Sequence, residues 1–196
     1  MQIAAVILAG GEARRLGGAD KALLHLCGRP LLAHVLDRLR PQIDVIALSA
    51  NGDPARFAAF DVPVLADDEI GQGPLAGVLA GLDWAAAQGF DAILTAPVDT
   101  PFLPADLVAK LARASDDAAR PSVAISGERL HPTVALWPVT QRATLRAALG
   151  AGERRLRMPL QGAVQVTFDG PTDPFKNLNT LDDFRAAEAA FCADKS

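Results

Sequence analysis

The 196-residue chain opens with the stretch IAAVILAGG at residues 3–11. Six consecutive apolar residues, Ile3 to Leu8, are followed within two positions by a pair of glycines. A continuous apolar run of this length, bounded by glycine, is typical of a strand that is buried on both faces. Such strands occur in parallel sheets that carry helices on both sides. The stretch therefore predicts an α/β fold in which this first strand is buried.

The rest of the chain continues an alternation of strand and helix patterns. After Pro30, apolar residues recur with a period of about 3.6 residues, which predicts a helix through Leu39. Pro63 indicates that the third strand lies at a sheet edge. The alternation predicts a single domain, residues 1–196, with three α/β/α layers around a mostly parallel, Rossmann-like sheet. Further strands are predicted at 45–50, 62–66, 92–96, 123–126, 133–137 and 164–168, and further helices at 75–89, after Pro104, at 142–149 and from Thr180.

The overall charge and hydropathy exclude two classes of partner. The chain has 19 Lys and Arg residues against 23 Asp and Glu residues, a net charge of -4. Domains that bind nucleic acid polymers are usually basic, and no stretch approaches the roughly 20 apolar residues of a membrane span. We therefore expect no nucleic acid polymer and no membrane as partner. Basic residues do concentrate in segments 12–29 and 152–157, which favours a small polyphosphate ligand.

The cysteines indicate a reducing compartment. Cys27 and Cys192 are the only two in the chain, and they are far apart in sequence and form no CxxC pair. The first residues also lack the basic leader of a signal peptide. We expect reduced thiols and a cytoplasmic location.

The loop after the first strand is the first candidate ligand site. Ligands of open α/β sheets bind beyond the carboxyl ends of the strands. Residues 8–21 read LAGGEARRLGGADK, in which four glycines leave backbone N–H groups free to cradle phosphate. Arg15 and Lys21 can supply positive charge. The alternative is an exposed loop with ordinary surface charges, since the loop fits neither common phosphate-binding motif.

Polar residues follow three other predicted strands. Asp99 lies between two prolines in the stretch PVDTP at 97–101, and a carboxylate fixed there, facing a phosphate loop, suits Mg²⁺. The alternative is that Asp99 caps the following turn. Asn51 and Asp67 occupy the equivalent positions after the second and third strands, where they can contact a base or a ribose. Both are also ordinary turn residues.

Two later segments have unusual polar patterns. Residues 152–157 read GERRLR, and residues 175–180 read FKNLNT. If the second segment is extended, Asn177 and Asn179 lie on one face, which suits a polar heterocycle. The alternatives are a solvated basic turn and an N-cap.

Three other patterns carry weaker signals. Residues 71–76, GQGPLA, have the spacing of a dinucleotide-binding loop but follow no apolar strand, and we interpret them as a turn into a helix. We expect His34 at the surface of the first helix. No arrangement of Ser, His and acid typical of a hydrolase is evident.

Six motifs together resemble one family of nucleotidyltransferases. LAGGEARRLGGADK is similar to the signature LAGG-x-x-x-R-x-G-x-x-K, and GPLAG, PVDTPF, HPTVAL, GERR and NLNT follow. As a set they resemble the molybdenum cofactor guanylyltransferase family, the MobA type, from about Ile3 to Phe184. The resemblance implies a nucleotide-diphospho-sugar transferase fold, with a nucleotide-binding half at about 1–100 and a molybdopterin-binding half at about 101–185.

The resemblance also implies a reaction and its residues. The family transfers GMP from magnesium-bound GTP to molybdenum-bound molybdopterin, which forms the molybdopterin guanine dinucleotide cofactor and releases pyrophosphate. One departure is Val98, where the family commonly has Cys, and we expect no effect on metal binding. By resemblance the catalytic residues are Arg15, Lys21 and Asp99, with Asp99 as the Mg²⁺ ligand; the GTP-binding residues are Leu8, Ala9, Gly10, Gly11, Lys21, Asn51, Asp67 and Asp99; and the molybdopterin-binding residues are Arg154, Arg155, Asn177 and Asn179.

The resemblance further suggests partners and leaves alternatives. We expect a monomer that acts on GTP and molybdenum-molybdopterin, with a molybdenum-insertion protein and apo-molybdoenzymes or their chaperones as protein partners. The alternatives are a molybdopterin cytidylyltransferase, another small-molecule nucleotidyltransferase, and a noncatalytic nucleotide-sensing domain. A receiver-type sensor would carry acidic residues at the end of the first strand, where LAGG stands.

Overall fold

A central β-sheet organises the fold. The computed structural model describes residues 1–10, 20–66 and 73–193. A hairpin is formed by β2 (His25–Leu26) and β3 (Arg29–Pro30), separate from the sheet. The sheet strands are β1 (Ile3–Leu8), β4 (Ile46–Ser49), β5 (Val64–Leu65), β6 (Ala92–Pro97), β7 (Ser122–Ser126), β8 (Arg129–Pro138) and β9 (Val164–Thr167).

The sheet is mostly parallel, as the sequence predicts. The strand order is β5-β4-β1-β6-β8-β7-β9. β1 pairs in parallel with both β4 and β6, and the β4–β5 and β7–β9 pairs are parallel as well. Among the described strands of this seven-stranded sheet, only β8 runs antiparallel to its neighbours. β5 is an edge strand, in agreement with the prediction from Pro63.

Helices cover both faces of this sheet. The helices are α1 (Leu31–Leu39), α2 (Pro74–Ala87), α3 (Leu107–Ala114), α4 (Arg142–Gly150) and α5 (Leu181–Ala193). Ala5 and Ile7 of β1 share one core with apolar residues of α1 and α3. Val6, which points to the opposite face, shares a second core with α2 and α4. The three predicted layers are therefore confirmed. Within the described residues, no helix combines the length and apolar character that crossing a membrane requires.

A capping box starts α5. The Asp183 N–H donates to Thr180 Oγ1 at 3.1 Å, and the Thr180 N–H donates to Asp183 Oδ2 at 2.9 Å. A hydrogen bond from the Asn179 N–H, followed by those from Thr180, holds the pKa of Asp183 below its ordinary value. The cap fixes the start of α5 immediately after the NLNT segment.

The β2–β3 hairpin buries the side chain of His34, which was expected at the surface of the first helix. This side chain is 4% exposed, and its Nε2 forms a hydrogen bond of 2.8 Å with the Leu26 carbonyl. The prediction of a surface position was wrong because β2 and β3 fold over this side of α1. Their two-residue turn, Cys27 and Gly28, has positive φ at both positions, the geometry of a tight hairpin.

The expectation of reduced thiols was also wrong, since Cys27 is disulfide-bonded in the structure. α5 packs against the hairpin that carries this residue: the Cys27 N–H donates to Glu188 Oε1 at 3.4 Å, and Leu26 shares a core with Phe184 and Ala187. The hairpin near the start of the chain and the helix near its end are thus neighbours in space.

The contact between α2 and the sheet generates a stability prediction. A Cβ at Gly81 would lie 2.8 Å from Val6 Cγ2 and 3.1 Å from Ile93 Cδ1. We expect Gly81→Ala to lower the free energy of unfolding by about 1–3 kcal/mol, although alanine is the better helix former. Urea denaturation measures the change.

Gly150→Ala is the matched control. This residue ends α4, and a Cβ there would meet nothing within 4 Å, so its stability should be unchanged or slightly higher. Equal effects of the two substitutions would contradict the close packing of α2 on β1 and β6.

Candidate functional site

The carboxyl ends of three parallel strands meet at one edge of the sheet. Leu8 of β1 is paired with Ser49 of β4 and with Pro97 of β6. The hydrogen bonding continues past the strands, because the Ala9 N–H donates to the Ser49 carbonyl at 2.9 Å and the Val98 N–H to the Leu8 carbonyl at 3.1 Å. This edge therefore brings together the segments 8–10, 50–51 and 98–99.

An ion pair lies at this edge. Lys21 Nζ donates to Asp99 Oδ2 at 2.5 Å, and the two side chains are only 12% and 13% exposed. Asp99 does not cap the following turn, since the Thr100 hydroxyl donates to the Pro97 carbonyl at 2.8 Å and closes that turn itself. The Asp99 carboxylate is thus left to face Lys21.

The NLNT segment lies against the same carboxylate. Asn177 Nδ2 donates to Asp99 Oδ1 at 2.8 Å, and Asn179 Oδ1 accepts a hydrogen bond from Lys21 Nζ. Between them, the Leu178 N–H donates to the Asp99 carbonyl at 2.9 Å, while the Leu178 side chain is fully buried. Both amides therefore lie on one face, as the alternation predicts. Their contact with molybdopterin stays a prediction.

Lys21 is itself held by a short capped helix. It begins the 3₁₀ turn Lys21–Leu23, whose N-cap Asp20 accepts from the Ala22 N–H at 3.0 Å. Asp20 Oδ2 also accepts from Arg56 Nε at 2.7 Å. Because Lys21 directly follows the capping residue Asp20, these hydrogen bonds fix the backbone position of Lys21.

Arg56 is a site residue that sequence reasoning missed. It lies in the 3₁₀ helix Pro54–Phe60, and besides Asp20 it binds the carbonyls of Asn51 and Asp53, each at 2.5 Å. It thereby joins the loop after β4 to the Lys21 turn. The signal that could have found it is Asp53-Pro54, an N-cap followed by proline, which predicts a helical turn directly after Asn51.

The GERR segment lies beside the start of α2. The Arg154 guanidinium donates from Nη1 to the carbonyls of Leu149 and Glu153, both at 2.9 Å, and is directed to the end of α4 instead of to the Lys21–Asp99 pair. The Glu153 carboxylate accepts from the backbone N–H of Arg155 and then Arg154, which lowers its pKa. The role of both arginines toward molybdopterin stays a prediction.

The backbone of Gly73 lies close to the backbone of Arg154. Gly73 has a φ of 74°, and a Cβ there would lie 3.1 Å from the Arg154 carbonyl oxygen. Pro74 is the first residue of α2, in agreement with the interpretation of this segment as a turn into a helix.

The structure places some predicted residues and not others. Leu8 is half-buried, Ala9 is buried and Gly10 is exposed at the end of β1. The predictions for Gly11, Arg15 and Asp67 lie outside the described residues.

Asp99 is a single-carboxylate candidate for a metal site. The described part of the chain holds no cluster of three or more His, Cys, Asp or Glu residues that could bind a metal. Asp99 already takes a cation, the Lys21 ammonium, and the amides of Asn177 and Asn179 are adjacent. Mg²⁺ is commonly held by one or two carboxylates together with substrate phosphates and water, and the donor set fits that pattern.

The structure brings together a Ser, a His and an acid that no sequence pattern indicated. Ser126 Oγ lies 2.7 Å from His131 Nε2 and donates to Asp173 Oδ1 at 2.8 Å. Burial lowers the pKa of His131, and the nearby Asp173 carboxylate offsets part of that effect. The order of contacts differs from a hydrolase triad, in which the acid binds the histidine and the histidine takes the serine proton. The cluster is therefore not a nucleophilic centre.

Comparison with solved structures agrees with this fold. The crystal structure of molybdopterin-guanine dinucleotide biosynthesis protein A from Archaeoglobus fulgidus matches with a TM-score of 0.74 and 25% identity, and covers 99% of this chain and 100% of that one. A 4-diphosphocytidyl-2C-methyl-D-erythritol synthase from Anaerococcus prevotii DSM 20548 has the same fold, with a TM-score of 0.74 at 15% identity and coverage of 97% and 96%. The chain has the nucleotide-diphospho-sugar transferase fold that the resemblance implies.

Comparison with curated proteins identifies the family. A Cereibacter sphaeroides protein named molybdenum cofactor guanylyltransferase is 50% identical over 196 residues, which are 99% of this chain and 100% of the relative. A protein of the same name from Rhodopseudomonas palustris (strain HaA2) is 53% identical over 194 residues, with coverage of 94% and 90%. Residues 5–166 match the family model of the MobA-like NTP transferase domain. From this match and from the near full-length identity to such relatives, we conclude that the chain belongs to the MobA-like NTP transferase family.

Proposed function

We propose that this protein transfers GMP from GTP to molybdenum-molybdopterin and so forms the molybdopterin guanine dinucleotide cofactor and pyrophosphate. The observation that carries the proposal is the Lys21–Asp99 ion pair at the carboxyl edge of the sheet, flanked by Asn177 and Asn179. The proposal is also supported by sequence similarity, because the chain is 50% identical to a molybdenum cofactor guanylyltransferase over nearly its whole length.

The proposed reaction is a phosphoryl-group substitution. An oxygen of the terminal phosphate of molybdopterin forms a bond to the α-phosphorus of GTP, while the bond from that phosphorus to the β-phosphate oxygen breaks and pyrophosphate leaves. Both reactants are anions, so the protein must align them and offset their charge. No covalent intermediate on the protein is required.

Lys21 and Arg15 supply positive charge in this proposal. The Lys21 ammonium lies on Asp99 in the structure, and it is on a flexible stem that can turn to the phosphates of bound GTP. Asp20 and Arg56 fix the backbone from which this stem extends. The ammonium then offsets the charge that builds up on the leaving pyrophosphate.

Asp99 is the proposed ligand of Mg²⁺. When bound, the metal ion would neutralise and orient phosphate oxygens. The support is that Asp99 is a largely buried carboxylate already paired with a cation and fixed by the Thr100 turn. Asn177 holds the orientation of the carboxylate through its hydrogen bond to Oδ1.

The two substrates are assigned to opposite sides of this pair. We propose that the half at about 1–100 binds GTP through Leu8, Ala9, Gly10, Gly11, Asn51 and Asp67, and that the half at about 101–185 binds molybdopterin through Arg154, Arg155, Asn177 and Asn179. The support is that Lys21 reaches Asp99 from the first half and Asn177 from the second.

The proposed substrates, GTP and molybdenum-molybdopterin, support the proposed cellular setting, since the disulfide at Cys27 removes the support from reduced thiols. We propose a cytoplasmic monomer that receives its pterin substrate from a molybdenum-insertion protein. Its product would pass to apo-molybdoenzymes or their chaperones.

Asp99→Asn tests the catalytic role. The substitution keeps the shape and a hydrogen-bond acceptor but removes the charge, so we expect a folded protein in which GMP transfer falls by a factor of about 100 or more. Pyrophosphate release with GTP and molybdenum-molybdopterin measures the rate, and thermal denaturation checks the fold. Asp106→Asn is the matched control, because that carboxylate forms an exposed ion pair with Lys110 and should leave the rate unchanged. Near-normal turnover by Asp99→Asn would refute the assignment.

Nucleotide selectivity tests the choice of GTP. A ligand at 100 times its Kd stabilises the folded state by about 2.7 kcal/mol, so thermal denaturation with Mg²⁺ should show a higher Tm with GTP than with CTP, ATP or UTP. Selective stabilisation by CTP would instead support a cytidylyltransferase. Stabilisation by GTP without any pyrophosphate release in the presence of the pterin substrate would support a nucleotide sensor.

A further inference from the structure

We propose that Ser126, His131 and Asp173 form a positioning network that holds the 173–179 loop so that Asn177 lies on Asp99. The proposal rests on the proposed function, because it concerns how the carboxylate of that site is oriented. It assigns a role to three polar residues that contact neither Lys21 nor Asp99 in the described hydrogen bonds.

The network begins on a rigid hairpin. Ser126 ends β7 and His131 lies on β8, where Ala124 is its partner across the strand pair. Ser126 and His131 are therefore diagonal neighbours on one face of the sheet. His131 is 5% exposed, and its ring lies 4.8 Å from that of Phe175. The paired strands β7 and β8 thus hold the Ser126 hydroxyl and the His131 imidazole in place beside the 173–179 loop.

The direction of the hydrogen bonds is fixed by the single hydroxyl hydrogen. Ser126 donates that hydrogen to Asp173 Oδ1. The 2.7 Å contact with His131 must then be a donation from the imidazole Nε2–H to Ser126 Oγ. The chain of donors therefore runs from His131 through Ser126 to Asp173.

Asp173 connects the hairpin to the backbone of the 173–179 loop. The same Oδ1 accepts from the Phe175 N–H at 2.9 Å, and the Asp173 carbonyl accepts from the Lys176 N–H at 3.2 Å. These bonds close a turn whose next residue is Asn177. The Phe175 side chain is fully buried and packs edge-on against Phe168 at 5.3 Å. The turn is therefore fixed by a hydrogen-bonded carboxylate on one side and by an aromatic core on the other.

Apolar packing alone leaves the orientation of Asn177 underdetermined. Phe175 and Leu178 anchor the loop in two different cores, but neither residue directs the amide between them. The turn at Asp173 does so, because it sets the backbone from which Asn177 donates to Asp99 Oδ1 at 2.8 Å. Loss of the network should lower the population of molecules with this bond formed.

The expected effect is larger on the pterin substrate than on GTP. Asn177 and Asn179, the proposed pterin contacts, lie in the loop, whereas Asn51 and the end of β1 lie outside it. The Kd for GTP should therefore change less than kcat/KM for the pterin substrate when the network is removed. The loss of one hydrogen bond to a charged group corresponds to roughly a tenfold change in a population or a rate. We therefore expect kcat/KM for the pterin substrate to fall about tenfold.

Three variants test the proposal. Ser126→Ala removes the bridging hydroxyl, and Asp173→Ala removes the carboxylate that closes the turn. Asp173→Asn keeps an oxygen that can accept from both Ser126 and Phe175, and it should restore most of the activity. Calorimetry gives the Kd for GTP, steady-state kinetics give kcat and KM for the pterin substrate, and Tm reports the global fold.

Hydrogen exchange provides a readout that does not depend on activity. The Leu178 amide is bonded to the Asp99 carbonyl, so exchange in the 173–179 peptide should accelerate in Ser126→Ala and Asp173→Ala while peptides of β1 and β6 stay protected. A merely structural role would accelerate exchange throughout the molecule in step with the fall in Tm.

A double-variant comparison tests whether the network acts through Asn177. If it does, adding Ser126→Ala to Asn177→Ala costs little further activity. The proposal is overturned if the two effects multiply, if Asp173→Asn is as defective as Asp173→Ala, or if exchange in the 173–179 peptide is unchanged. An inactive wild-type protein would refute the proposed function, and the exchange comparison would still decide the network.

Discussion

The ion pair between Lys21 and Asp99 is the contact around which the candidate site is arranged. Two opposite charges, 12% and 13% exposed, face each other at the carboxyl edge of the sheet. A charge buried to this extent is costly unless it is paired and hydrogen-bonded. The surrounding segments supply those bonds, and they come from parts of the chain that are up to 158 residues apart in sequence.

Each charge has supports of its own besides the NLNT segment, which contacts both. Asp20 and Arg56 fix the turn that carries Lys21, and they connect it to the loop after β4. Asp99 is fixed by the Thr100 turn at the end of β6 and by the NLNT segment. A site that aligns two anions needs this kind of rigidity, because its catalytic effect comes from charges that are already in place. The pair also lies where the two proposed substrate halves meet, so it can respond to both substrates.

Local sequence patterns predicted the features that depend on residues close to one another in the sequence. The apolar run of β1, the period of α1 and the edge position implied by Pro63 are all confirmed. The alternation of Asn177 and Asn179 also placed both amides on one face.

The features that were missed depend on contacts distant in sequence. His34 is buried by the hairpin, and Cys27 is brought close to α5 by the same element. Asp173 meets Ser126 from 47 residues away, and no spacing rule connects them. Arg56 was missed for a related reason, since its ion-pair partner Asp20 lies 36 residues earlier. Such pairs become evident only when the sheet order is known.

The central claim is that Lys21 and Asp99 act as one unit in guanylyl transfer. The most direct measurement is a double-mutant cycle on the rate of pyrophosphate release, with Lys21→Met, Asp99→Asn and the combined variant. Residues that act as a unit have strongly non-additive effects, so the account predicts that the combined variant is about as slow as the slower single variant. Multiplying effects, or a rate close to that of the unsubstituted protein in either single variant, would contradict it.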